Sequence, residues 1–156
     1  MRSFRRAISG VVTAALFCSA GPGLAGDTLK TSEQLRRLDI MLMVTSLRCR
    51  NGADNFQPEY AKFSSAHLPR MNAASNQLKA SMEKQHGVKG AARRLDQMSV
   101  GMANEYGNGH PWLGCAELRE ITRDLAAERD AARLASAADE LLSAQPAGQL
   151  ARLARR

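Results

Sequence analysis

Apolar positions along this chain recur every three or four residues, the spacing of an amphipathic helix. No stretch alternates apolar and polar residues with β-branched enrichment, so no strand is expected. The first helical pattern opens at Thr31-Ser32-Glu33-Gln34, with Thr31 as N-cap and Gln34 closing a capping box. It continues through Leu35, Leu38, Met41, Leu42, Thr45 and Leu47 to the stop signal Asn51-Gly52. Its middle, Ile40 to Val44, is apolar all round and marks the central, many-sided element. A second helix opens at Pro58, and Phe56, Tyr60, Phe63, His67 and Met71 recur at helical spacing, with Leu78 and Met82 continuing the stripe. Pro69 lies inside that stripe and predicts a break or kink near His67-Leu68. His86-Gly87 ends the segment.

A third helix spans about Gly90 to Tyr106, with Ala91, Leu95, Met98, Met102 and Tyr106 on one face. After Gly107-Asn108-Gly109 and His110-Pro111-Trp112, a fourth starts near Gly114 and is expected to run at least to Leu134. The connections are short, so neighbouring helices should be antiparallel. The expected fold is all-α, an up-down four-helix bundle-like domain with an Ala-rich C-terminal helical extension. From Ala126 the apolar stripe is mostly alanine, which predicts weak packing and a partly solvent-exposed last half. Glu120 with Arg123 and Asp130 with Arg133 have the spacing of helix-surface ion pairs.

The N-terminus changes the setting. Arg2, Arg5 and Arg6 precede a short apolar run ending at Ala20, then Gly21-Pro22-Gly23 and Gly23-Leu24-Ala25. This is the layout of a secretory signal peptide cleaved after Ala25, with a run too short to persist as a membrane span. The expected division is a leader over 1–25, a helical domain over 26–143 and a basic tail over 144–156. Location is expected to be periplasmic or secreted, with no transmembrane span in the mature chain.

The whole chain carries a formal charge of +7; the leader holds three arginines and no acid, leaving +4 after cleavage. An exported chain of that charge is not expected to meet nucleic acid; an envelope protein or an anionic envelope component is the expected partner. Leucine, methionine and alanine must fill the core, because few aromatics remain.

Cys49 and Cys115 are the cysteines left after cleavage. In an oxidising compartment two cysteines most simply form one disulfide. The topology agrees: in an up-down bundle the end of the first helix and the start of the fourth share a pole. The alternative is a nucleophilic Cys115 with His110 upstream.

That pole gathers the turn 51–59 and the loop 107–115. Tyr106, Asn108, His110 and Trp112 are the candidate binding residues, since glycine, proline, histidine and the sole tryptophan coincide there. The plainer reading is a tight turn, with Trp112 plugging the bundle end and His110 facing water. Glu105 and His110 are the candidate acid and base of an alternative hydrolase reading, with Arg48, Arg50, Asp54 or Glu59 available to shift them. The sequence has no Gly-x-Ser-x-Gly elbow and no His-Glu-x-x-His. No metal site or cofactor is expected: His67, His86 and His110 are far apart, and no Cys-x-x-Cys-His occurs. Met41 and Met43 keep a non-covalent haem carrier as a second alternative, although the fourth helix has no histidine. His67, on the apolar stripe, reads as a hydrogen-bonded core histidine.

The segments 38–50 (LDIMLMVTSLRCR) and 102–115 (MANEYGNGHPWLGC) resemble a group of small exported bacterial proteins of uncharacterised activity. The resemblance spans about Leu35 to Leu125 and implies no activity; it adds weight to Cys49 and Cys115 as one unit. The function expected from the sequence is a non-enzymatic, disulfide-stabilised helical binding or accessory protein of the bacterial cell envelope.

Overall fold

The computed structural model describes residues 22–143, with side chains from Thr28 onward. Residues 1–21, most of the expected leader, and the expected basic tail from Ala144 lie outside the described residues. Described residues form helices and turns only: α1 (Pro22–Cys49), α2 (Gln57–Glu105), α3 (Cys115–Ala127) and α4 (Ala131–Leu142). The fold is therefore all-α, and the disulfide joins Cys49 to Cys115 with their Cα atoms 5.8 Å apart.

Within α2 lie two arms, 57–86 and 88–105, meeting at Gly87 (φ 64°, ψ 173°). Those angles fall in a region that only a residue without Cβ enters readily. Arg36 shows how far the chain turns there. Its Nη1 donates to Ser75 Oγ and its Nε to Ser99 Oγ, both at 2.9 Å. In one continuous helix those serines would be about 36 Å apart. They share one guanidinium because the arms fold back on each other beside α1.

Following the chain, α1 descends, the first arm of α2 rises, the second descends and α3 rises, the expected up-down order. The central place of α1 follows from its sequence. Leu38, Met41 and Leu42 are fully buried, and α1 touches both arms of α2, α3 and α4. Only Met43 of its apolar middle faces solvent. The stripe on the first arm buries Phe63, His67, Met71, Ala74 and Leu78, as its periodicity requires.

Three expectations need correction. α1 starts at Pro22, upstream of the Thr31 box, so the expected cleavage point after Ala25 would fall in its first turn. Thr31 is therefore not an N-cap but lies inside a continuing helix, where the neighbouring Ser32 Oγ bonds back to the Thr28 carbonyl at 2.9 Å. Pro69 does not break α2, whose backbone stays helical there. Ser65, whose carbonyl loses its partner to the proline, is exposed and can be hydrated.

The third correction concerns the last helix, which is two. α3 stops at Ala127, and α4 starts at Ala131 behind Asp130, whose carboxylate accepts from Ala132 N (2.7 Å) and Arg133 N (3.0 Å). Asp130 thus caps rather than serving as an ion-pair partner within a long helix. The break lets α4 turn down and pack on α1, burying Leu134, Ala138 and Leu141. The Ala-rich extension is helical, but its small side chains seat it closely against α1. The Glu120–Arg123 ion pair forms, at 2.5 Å.

Candidate functional site

The disulfide pole does bring the two candidate loops together. Cys49 ends α1, Cys115 opens α3, and Arg119 of α3 donates to the Ala53 carbonyl (3.3 Å) and pairs with Asp54 (3.2 Å). Arg123 pairs with Glu59 at 3.7 Å. The turn after α1 is therefore held against α3 by charge as well as by sulfur. At the start of α3, Gly114 N–H donates to Glu117 Oε2 at 2.8 Å, the half of a capping box that a glycine N-cap leaves available.

The loop 106–114 is shaped by Gly109 and His110. Gly109 has φ 99°, and a Cβ there would lie 3.3 Å from Arg48 Nε. The positive φ favours glycine at this position, and a side chain there would also push the Arg48 guanidinium aside by a few tenths of an ångström.

His110, expected to face water in the plainer reading, is instead buried, with 9% exposure. Its hydrogen bonds explain why. Leu113 N–H donates to Nδ1 at 3.2 Å and Trp112 N–H at a longer 3.4 Å. Nε2 lies 3.0 Å from the Leu141 carbonyl, near the end of α4. Backbone N–H groups can only donate and a carbonyl can only accept, so the ring is neutral, with its proton on Nε2. Burial pushes the His110 pKa below the usual histidine value, although the Leu141 carbonyl and Glu117 both favour the cation.

His110 thus satisfies one of the carbonyls that a helix end leaves without an intrahelical partner. His67 reaches the last turn of α3: its Nε2 donates at 2.8 Å to the Leu125 carbonyl, which also accepts from Glu128 N–H at 3.2 Å, and its ring packs on Phe63. It is the hydrogen-bonded core histidine expected from its stripe. Both members of the C-terminal helix pair are therefore clamped at their last turns by buried histidines. Capping by a side chain from another element leaves no local sequence signature, so this role was invisible before the fold.

The other candidates fall as follows. Tyr106 is buried and lies near-parallel to the His110 ring at 6.3 Å, and burial raises its hydroxyl pKa. Trp112 is half-buried, edge-on to His110 at 4.6 Å, and plugs the bundle end as expected; its Nε1 is buried without a hydrogen-bond partner among the described residues. Of the four candidate binding residues, only Asn108 is exposed.

No hydrogen bond or ion pair joins Glu105 to His110 among the described residues. Glu105 is ion-paired and hydrogen-bonded to Arg37, whereas the His110 loop passes Arg48 at Gly109. Arg37 and Arg48 are about 16 Å apart along α1. Met41 is fully buried core against Thr45, while Met43 faces out, so the two do not share a site. Among the described residues no group of three His, Cys, Asp or Glu could hold a metal ion.

The concavity at the pole holds only about 150 Å³, between Thr45, Arg48, Asn108 and Leu113. Ligand pockets more often run from about 300 Å³ upward. Two larger hollows lie elsewhere. One, of about 400 Å³, lies between α1, the first arm of α2 and the start of α4, against Leu35, Ala73, Ala74 and Leu134. The other, of about 350 Å³, lies beside the Gly87 corner, against His86, Arg93, Arg94 and Gln97. Neither was found by reading motifs, because residues from separate helices line the first and the second depends on the hairpin turn.

No protein family, characterised protein or solved structure matches this chain.

Proposed function

We propose that this chain is an exported, disulfide-braced helical binding or accessory protein of the bacterial cell envelope, acting without catalysis in the periplasm or after secretion. The observation that carries this reading is the employment of the pole's titratable groups. Both nitrogens of His110 are engaged by backbone groups, and Glu105 is held by Arg37. A general acid or base needs an atom within reach of substrate, and here those atoms serve the fold. The joined cysteines fit an oxidising compartment, where such a bond persists. The open surfaces lie on α2 and on the groove beneath α4.

The test is expression of the whole chain in a Gram-negative host, followed by osmotic-shock fractionation and N-terminal sequencing. The expected result is a shock-released protein beginning at Gly26, with no turnover of generic ester, phosphoester or peptide substrates. Retention in the cytoplasm with the leader attached would overturn the export claim. Turnover that disappears in Glu105→Gln would instead establish the hydrolase.

A further inference from the structure

The charge of this chain is unevenly placed. Residues 79–94 hold Lys79, Lys84, Lys89, Arg93 and Arg94 against one acid, Glu83. The remaining described side chains hold 11 cations and 13 acids, so the excess among described side chains sits at the hairpin corner. The corner also stands clear of the C-terminal helices. The α3–α4 connection meets the first arm where Arg70 donates to the Arg129 carbonyl. The arm continues beyond that contact for about 24 Å before it reaches Gly87.

Among the described residues none of the five corner cations forms an ion pair, whereas Arg37, Arg119 and Arg123 all do. Lys89 and Arg93 stand four apart on one helix, a like-charge spacing that costs stability. No ion pair among the described residues relieves that repulsion; the nearest acid in sequence, Asp96, stands three residues beyond Arg93.

The corner also has a receptive shape. His86, Arg93, Arg94 and Gln97 line the 350 Å³ cleft. Gly90 brings the arms close there: a Cβ on it would lie 2.9 Å from His86 Cβ. Val88, 64% exposed, projects beside Gly87 among these cations. A basic rim around one apolar side chain matches the chemistry of an anionic bilayer surface, with phosphates outermost and hydrocarbon beneath.

We propose that the helical-hairpin corner of α2, residues 84–94, docks on an anionic phospholipid bilayer, with a lipid phosphate held between Arg93 and Arg94 and Val88 entering the headgroup layer. This names a partner for the envelope-binding reading and rests on that reading for the chain's meeting such a surface.

The test is co-sedimentation of the purified, oxidised mature chain with vesicles of phosphatidylglycerol in phosphatidylcholine, or of phosphatidylcholine alone. Binding is expected only with the anionic lipid and should fall as salt rises, because exposed charges are screened. Each corner charge removed should weaken binding about fivefold, so Arg93→Gln with Arg94→Gln should cost about 25-fold. Lys84→Gln with Lys89→Gln should do the same, and Val88→Asp should weaken binding as well. All these positions are exposed, so the thermal midpoint should not move.

The control, Arg50→Gln with Lys62→Gln, removes the same charge from exposed positions near the disulfide end and should stay within twofold. Equal binding to phosphatidylcholine, no binding to the anionic vesicles, or equal loss in the control would overturn the proposal. A periplasmic chain that ignores these vesicles would reject the lipid partner and leave the envelope reading standing; cytoplasmic retention would reject that reading whatever the vesicles show.

Discussion

Replacing His110 tests the clamp at the end of α4. In His110→Ala, the Leu113 N–H and the Leu141 carbonyl both lose their partners, at 3.2 and 3.0 Å. Leaving a buried polar group unsatisfied costs about 1–3 kcal/mol. Leu141 is 7% exposed and sits at a helix end, so water can rescue part of its share. The truncated ring also abandons its contacts with Tyr106 and Trp112. A loss of about 3 kcal/mol follows, or about 12 °C in melting temperature for a domain of this size. His110→Asn places an acceptor near Nδ1, and His110→Gln places a donor near Nε2, so each should recover about half of that loss. Urea unfolding followed by circular dichroism reads the series, and amide exchange along α4 shows whether its last turn frays first. A cost under about 0.5 kcal/mol for His110→Ala would refute the clamp.

The same residue sets a pH dependence. Burial lowers the folded pKa of His110 below its unfolded value. The unfolded chain therefore binds the proton more readily, and folding stability falls as pH drops below the ordinary histidine value. The loss is complete once pH passes below the lowered, folded pKa. His110→Gln should remove this part of the acid sensitivity; an unchanged stability–pH curve would contradict the assignment.

Three further changes probe the frame. Cys49→Ser with Cys115→Ser opens a 66-residue loop and should cost about 4 kcal/mol in the chain-entropy model, measured by urea midpoint. Asp130→Ala removes the α4 N-cap and should cost about 1 kcal/mol, with amide protection lost in α4 before α1. Gly87→Ala forces a Cβ into a backbone region that essentially excludes it, so about 1–3 kcal/mol should be lost in thermal unfolding; no change would mean the corner does not need glycine.

Much of this architecture was legible in the residues. The stripe from Phe63 through Leu78 and the buried middle of α1 follow from periodicity, because helices gain most of their stability from one buried face. The Gly87 stop and the Cys49–Cys115 pairing followed from turn chemistry and topology. What escaped was decided by competition between local and distant forces. The 126–142 run favours one long helix by propensity, yet capping by Asp130 and burial of Leu134 and Leu141 outweigh the few hydrogen bonds lost at the break. Pro69 looked like a breaker because its sequence does not show which side of the helix meets solvent. At the pole, sequence located the loop but not its orientation: His110 points inward only because α4 folds back to offer it the Leu141 carbonyl.

α1 and α3 are covalently joined at one end, and the 107–115 loop with its His110 clamp is built around that joint. Peptide mapping of the unreduced protein, isolated from its native host with free thiols blocked at lysis, tests this directly. One linked peptide pair containing Cys49 and Cys115 is expected, neither carrying the blocking label. Recovery of both cysteines labelled as free thiols would contradict it.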